Sequence, residues 1–447
     1  MSKNTYSNVS AISSIKNNYM TYDETVKYLF DCAPLFQQVG SSAYKEGLGT
    51  TLLLDEHLGH PHKKFRTIHI AGTNGKGSCS HTIAAILQSA GYRVGLYTSP
   101  HLIDFRERIR VNGEPASKEF VVDFVERERE FFEPLHPSFF ELTTAMAFTY
   151  FAEQKVDVAV VEVGMGGRLD CTNIISPDAC IITNISIDHT QFLGKRLADI
   201  ASEKAGIIKP QTAVVIGETT EETKAVFNEK ASSCNAPIYF AEEEQPLTKA
   251  TPCGDGYSYS TTMYGTIAGE LGGDYQVKNT NTILTTLQIL KKTGYDITEE
   301  AVKKGFGNVT RLTGLMGRWQ KLQEKPRVVC DAGHNIGGIS QIVKQLSRQK
   351  YNKLRIVFGM VNDKDISGVL AMMPKDAIYY FTQASVKRAL ESKEMAQKAL
   401  EFNLYGNYYC DVKTALEAAT KDADEEDFIF VGGSCFIVAD LLSSIGK

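Results

Sequence analysis

The sequence predicts an α/β protein of two domains, a larger first one built on a mostly parallel sheet and a smaller second one. Three observations carry that expectation. From Arg66 onward, apolar runs of strand length alternate with helix-like stretches. These runs are apolar throughout rather than at every second residue, the pattern of strands buried on both faces, as parallel sheets are. A second alternation of the same kind starts after residue 318, and 447 residues is more chain than one hydrophobic core usually fills.

Taken in order, residues 1–20 are rich in Ser and Asn and read as a loose tail. Thr21 and Glu24 stand at capping-box spacing ahead of Val26, Leu29 and Phe30, so a helix starts there. Strands are expected at 67–71, 94–98, 156–163, 179–185 and 213–216, with helical stretches such as 82–90 between them. The segment 242–273, rich in Thr, Gly and Tyr, reads as hairpins or loops, and a helix is expected from about 279 to 293. Residues 308–318 read as an irregular connector, and beyond it strand-like runs return at 328–331, 354–359, 378–382 and 428–431. The expected division is a tail at 1–20, a first domain at 21–308, a linker at 309–318 and a second α/β domain at 319–447.

Composition narrows the function. The chain is 43% hydrophobic and 23% charged, an ordinary globular balance, and its net charge of -5 gives no basic footprint for nucleic acid. Its nine cysteines form no C-x-x-C pair and no cluster with zinc spacing, so free thiols in a reducing compartment are expected. No signal-peptide pattern and no run of about 18 apolar residues occurs. The expectation is a cytoplasmic protein without membrane partners.

Ligands of open α/β sheets bind outside the carboxyl ends of the strands, and the unusual residues fall there. After the first run comes Gly72-Thr73-Asn74-Gly75-Lys76-Gly77-Ser78, followed by a helix-like stretch. Glycines let backbone N–H groups approach phosphate oxygens, a helix N-terminus adds positive dipole, and Lys76 adds a point charge. This is a phosphate cradle of P-loop type, although Gly77 separates Lys76 from Ser78 and no glycine stands five residues before Gly75. Glu162 ends the third run ahead of Gly164-Met165-Gly166-Gly167-Arg168-Leu169-Asp170. A carboxylate there is costly unless neutralised, and magnesium bridging phosphates is a natural partner. The glycines alone would read as a tight turn.

Asp188-His189 follows the fourth run, with Lys204 fifteen residues beyond His189. Taken alone, His189 reads as a hydrogen-bonded loop histidine and Lys204 as a solvated lysine at a helix end. In the second domain, Asp331-Ala332-Gly333-His334-Asn335 offers an acid, a histidine and an amide that can hold ribose hydroxyls or phosphate oxygens, and a loop of capping residues has the same look.

Together these stretches resemble the folylpolyglutamate synthase and dihydrofolate synthase family, relatives of the muramyl ligases of cell-wall synthesis. The resemblance runs from about Tyr44 to the C-terminus. It rests on G-T-N-G-K-G-S at Gly72, Y-T-S-P-H-L at Tyr97, F-F-E-L-T-T-A at Phe139 and E-V-G-M-G-G-R-L-D-C-T-N at Glu162. It continues with D-H-T at Asp188, E-K-A-G-I-I-K at Glu203, M-G-R at Met316, D-A-G-H-N at Asp331 and D-K-D at Asp363.

The resemblance implies a P-loop ATPase-like first domain and a smaller, Rossmann-like C-terminal domain for glutamate ligation. Lys76 and its loop would hold the β and γ phosphates of ATP. Ser99, Glu162 and His189 fall where the family places its magnesium ligands, with two ions implied and a monovalent cation such as K+ allowed. Lys204 falls where the family carries a carbamylated lysine. Asn279, in Gly273-x-x-Gln276-x-x-Asn279, matches an ATP contact, as do Arg318, Asp331 and His334. The stretches holding Ser99, Pro100, His101 and Leu102, together with Phe140 and Arg168, would surround the folate. The family commonly reads D-G-A-H-N-P, whereas here Ala332 and Gly333 are exchanged and Ile336 replaces the proline.

The implied reaction is ATP-dependent ligation of L-glutamate to a folate or dihydropteroate carboxylate through an acyl phosphate, in a monomer whose partners are small molecules. The G-G-R-L-D stretch leans toward bifunctional members. Two other readings are a muramyl-type ligase acting on a nucleotide-linked peptide, and an ATP-binding regulatory module. The second leaves Glu162, His189 and Lys204 without a joint task.

Overall fold

The computed structural model describes residues 20–32 and 47–446, so the expected tail lies, but for Met20, outside the described residues. The first helix, α1 (Tyr22–Cys32), begins where the capping box predicts: the Thr21 N–H donates to Glu24 at 2.8 Å, and the Glu24 N–H donates to Thr21 Oγ1 at 3.3 Å.

Eight strands form the first sheet: β1 (Arg66–Ala71), β2 (Val94–Tyr97), β3 (Ile109–Val111), β4 (Glu114–Pro115), β5 (Val158–Glu162), β6 (Ala179–Ile182), β7 (Val214–Ile216) and β8 (Ile238–Phe240). Their order is β4-β3-β2-β5-β1-β6-β7-β8. From β2 to β8 every pairing is parallel; β2 to β3 and β3 to β4 are antiparallel. The strands at 156–163 and 179–185 are shorter than expected because the apolar run continues into loops that serve the site. The β3–β4 hairpin and β8 escape the apolar pattern: they are short, and β3 carries Arg110 on a buried strand.

Helix α2 (Lys76–Ser89) follows β1 and is buried from Ser78 to Leu87, lying between the sheet and helix α3 (Tyr275–Lys292). The segment 242–273 is largely a three-stranded antiparallel sheet of β9 (Leu247–Cys253), β10 (Gly256–Thr261) and β11 (Thr266–Gly269), as its turn-rich composition predicts.

The second sheet contains β12 (Gln320–Gln323), β13 (Arg327–Asp331), β14 (Leu354–Phe358), β15 (Ile378–Phe381), β16 (Gly406–Tyr408) and β17 (Phe428–Gly432) in the order β12-β13-β17-β14-β15-β16. Its four expected strands are the buried centre. The edges β12, polar and half-buried, and β16, exposed, carry no apolar signal. Apolar clusters cover both faces of this sheet.

The connector is regular in its first half, where Val309–Thr313 makes a helical turn ended by Gly314 in the left-handed region (φ 70°). That turn is fastened to the first sheet's side of the molecule. His81 Nδ1 lies 2.8 Å from Thr313 Oγ1, and a Cβ on Gly314 would come within 2.8 Å of the Arg110 guanidinium. Leu315 packs with Leu271 and Val309. Met316 instead packs on the second sheet's core, and Gly317 is tied there by the Ala332 N–H at 3.0 Å.

Candidate active site

The loop after β1 is held before any ligand is considered. The Asn74 N–H donates to Asn184 Oδ1 at 2.9 Å, Thr73 Oγ1 donates to the Ser186 carbonyl at 3.2 Å, and Thr183 Oγ1 donates to the Asn74 carbonyl. Gly75 takes a positive φ of 84° to start α2, and a Cβ there would strike the Asn279 side chain. Lys76 is half-buried, not a lysine in open solvent: Nζ donates to the carbonyls of Gly72 at 3.0 Å and Thr73 at 3.2 Å. Burial pulls its pKa down, against the pull of Glu162 and Asp188. Its charge thus lies inside the loop that would receive phosphate.

Glu162, the last residue of β5, is buried and accepts the Ser99 N–H at 3.1 Å. Burial pushes its carboxyl up, while Lys76, the Ser99 hydrogen bond and Arg318 pull it down. His189 sits in the left-handed region (φ 50°) just past Asp188, and burial holds its imidazole neutral, with a pKa of about 3. A buried carboxylate, a hydroxyl and a neutral imidazole make a donor set for a hard or borderline cation. Among the described residues no group of three or more His, Cys, Asp or Glu side chains could hold a metal alone.

Lys204 is buried in the last turn of the helix Leu197–Ala205, not solvated. Burial, helped by the charge of Lys76, brings its pKa down to about 7, while Asp188 and Asp170 resist.

From the second sheet, the loop after β13 brings Asp331, His334 and Asn335. Asp331 accepts three hydrogen bonds, from the Tyr275 hydroxyl at 2.6 Å, the Trp319 N–H at 2.8 Å and the Gly333 N–H at 2.8 Å. It therefore ties α3 to the second sheet as well as lining the site. Asn335 and Asn74 exchange amide hydrogen bonds of 3.0 and 3.2 Å, and Asn335 Nδ2 also donates to Asp188 at 2.9 Å. Lys364 Nζ reaches Asp188 at 2.6 Å, and His334 Nε2 lies 3.6 Å from the same carboxylate. Burial pushes the Asp188 carboxyl up, but His334, His189 and Lys364 together hold it well below the usual range.

These residues frame two cavities. One, of about 320 Å³, is lined by residues 73–78, Ser99, Glu162, Asn279, Arg318, Asp331 and His334. The other, of about 270 Å³, is lined by Ser99, Pro100, Phe139, Phe140, Gly164 to Gly166, Asp170, His189, Lys204, His334 and Lys364. Thr73, Lys76, Ser99, Pro100 and His334 line both, so the cavities meet at Lys76. Three expected folate-site residues line neither. His101 meets Arg108 at 2.8 Å, Leu102 packs toward the second sheet, and Arg168 pairs with Glu203 at 2.9 Å. Sequence reasoning left Asp170 and Lys364 out of the site, although each stands inside a stretch that carried the resemblance.

Comparison with known proteins gives this arrangement its class. Residues 70–287 match the Mur ligase middle domain and residues 317–435 the Mur ligase glutamate ligase domain, one on each sheet, so the fold is that of a Mur-type ligase. The dihydrofolate synthase/folylpolyglutamate synthase of Bacillus subtilis is 33% identical over 417 residues, 89% of this chain and 94% of the relative. This chain belongs to the folylpolyglutamate synthase/dihydrofolate synthase family. A probable bifunctional folylpolyglutamate synthase/dihydropteroate synthase of Haloferax volcanii is 32% identical over 437 residues; the match takes 94% of this chain, which spans about half (50%) of that longer relative. Among solved structures, E. coli FolC in complex with DHPP and ADP superposes with a TM-score of 0.82 at 28% identity, covering 95% of this chain and 98% of that one. A bifunctional folylpolyglutamate synthase/dihydrofolate synthase with Mn, AMPPNP and L-glutamate bound gives 0.80 at 29% identity, covering 96% and 98%.

Proposed function

We propose that this protein uses ATP to join L-glutamate to the carboxylate of a folate or of dihydropteroate. The observation that carries the reading is the junction of two cavities at Lys76, one lined as a nucleotide site and the other partly apolar and walled by Phe139 and Phe140. A carboxylate entering from the second cavity meets the γ-phosphate of a nucleotide in the first. The carboxylate oxygen bonds to phosphorus, the bond to the β-phosphate oxygen breaks, and ADP leaves. The glutamate amine then attacks the acyl carbon, loses a proton, and inorganic phosphate departs.

Lys76 and Arg318 offset the repulsion between the anionic carboxylate and the triphosphate. Asn279, Asp331, His334 and the loop Gly72 to Ser78 hold the nucleotide, with Asp331 acting by fixing Tyr275, Trp319 and Gly333. Ser99, Glu162 and His189 would hold magnesium, two ions in all with K+ as a further candidate, and bound magnesium supplies charge neutralisation on the phosphates. The contacts from Asn335 and Lys364 to Asp188 close the junction against water that would hydrolyse an acyl phosphate. Lys204 lines the acceptor cavity with a readily neutralised amine, and we read it as carbamylated. Residues 21–308 and 319–447 act as two domains joined by 309–318. We read the protein as a monomer, and no helix among the described residues is long and apolar enough to cross a membrane.

The experiment is to incubate the protein with ATP, magnesium and glutamate, plus dihydropteroate or tetrahydrofolate, and weigh the products. Addition of one glutamyl residue with release of ADP is expected. ATP-dependent product from neither acceptor would overturn the proposal.

A further inference from the structure

His69 lies mid-way along β1, wholly buried, in register with Val161 of β5 and Cys180 of β6. A leucine would fill this place without the desolvation that an imidazole suffers, so the ring's polar atoms call for a reason. Nε2 lies 2.8 Å from Thr172 Oγ1, and Nδ1 has no hydrogen-bond partner among the described residues. The Thr172 hydroxyl has a single proton, which goes to Asp170 Oδ1; the same oxygen accepts the Thr172 N–H at 3.0 Å. Thr172 Oγ1 can therefore only accept from the ring, which fixes the His69 proton on Nε2. Burial, with help from the charge of Lys209, lowers the ring's pKa to about 3 and keeps it neutral in this one tautomer.

The far end of the relay is the acceptor cavity. Asp170 takes the Met165 N–H at 2.9 Å on its other oxygen and lines the cavity beside Met165 and Lys204. We propose that His69 is a positioning residue for the acceptor: acting through Thr172 Oγ1, it holds the Asp170 carboxylate in the orientation that lines the cavity. The inference rests on the reading of that cavity as the acceptor site. His69 itself lines neither cavity. Without the ring N–H the Thr172 hydroxyl loses the donor that orients it toward Asp170, whose carboxylate is then held only by the Thr172 and Met165 N–H groups and less firmly fixed.

The test compares His69→Leu, which removes the donor, with His69→Gln, which keeps an N–H, and Thr172→Val with Thr172→Ser. KM for acceptor and for ATP, and kcat, are measured on full-length enzyme. His69→Leu and Thr172→Val should raise the acceptor KM about tenfold with the ATP KM within about twofold, and His69→Gln and Thr172→Ser should recover most of that loss. Should His69→Leu fail to fold, the Thr172 pair decides alone. An unchanged acceptor KM in the donor-lacking variants, or parallel losses in both KM values without rescue, overturns the relay. Wild-type enzyme that ligates no pterin acceptor overturns instead the functional reading beneath it.

Discussion

Asp188 and Lys364, one on the loop after β6 and the other beyond β14, form a 2.6 Å ion pair between the two sheets' halves of the molecule. Both side chains are largely buried, and Asn335 completes the contact. Asp188→Asn and Lys364→Met should each lower kcat and raise the ATP KM, because either leaves a buried charge without its partner. A double-mutant cycle on kcat/KM should give a coupling of about 1–3 kcal/mol. Simple additivity would mean that the pair does not help to close the site.

Lys76→Ala should reduce kcat by at least about a thousandfold while folding normally, since the side chain's hydrogen bonds, to the Gly72 and Thr73 carbonyls, stay within its own loop. Circular dichroism and a steady-state assay check both halves. Near wild-type turnover would remove the phosphate role of this loop.

Glu162→Gln and His189→Ala should raise the magnesium concentration needed for half-maximal rate. Asp331→Ala should act on ATP affinity and also destabilise the fold by about 1–3 kcal/mol, because the Tyr275, Trp319 and Gly333 donors lose their acceptor. Separate titrations of magnesium and ATP, with urea unfolding, distinguish the two patterns. A magnesium profile unmoved in both ligand variants counts against the metal site.

Carbamylation of Lys204 needs the neutral amine, and a folded pKa near 7 makes that form abundant at neutral pH. The sign is that of a depressed base: the unmodified ammonium costs stability below about 7, and the cost disappears as pH rises toward the unfolded value of 10.5. Enzyme depleted of carbon dioxide at pH 6 should lose activity and regain it with bicarbonate at pH 8. Lys204→Ala should be nearly inactive and partly rescued by a short carboxylic acid, and Lys204→Arg should not be rescued. Full activity of Lys204→Arg, with no carbamate carbon signal in the wild type, would defeat the idea.

What could be read in the sequence follows burial. Strands such as β1 and β14 are buried on both faces and announce themselves as apolar runs, whereas β12 and β16 lie at an edge with exposed polar residues. The phosphate loop was legible because its glycines are needed locally, within seven residues. The Asp188 clasp was not, since Asp188 and Lys364 are 176 residues apart and each alone looks like an ordinary surface charge. Lys204 misled for the same reason: the apolar surroundings that lower its pKa come from other segments of the fold.

The connector carries a mechanical consequence. Leu315 belongs to one packing cluster and Met316 to another, and the hydrogen bonds on either side bind Thr313 to His81 and Gly317 to Ala332. Allegiance changes across a single peptide unit, so the chain has one pivot rather than a slack tether. Arg318, two residues past that pivot and close to Gly77, rides near the fulcrum. A swing of the second sheet about that point would carry Lys364 through a long arc yet move the start of the Arg318 side chain only slightly.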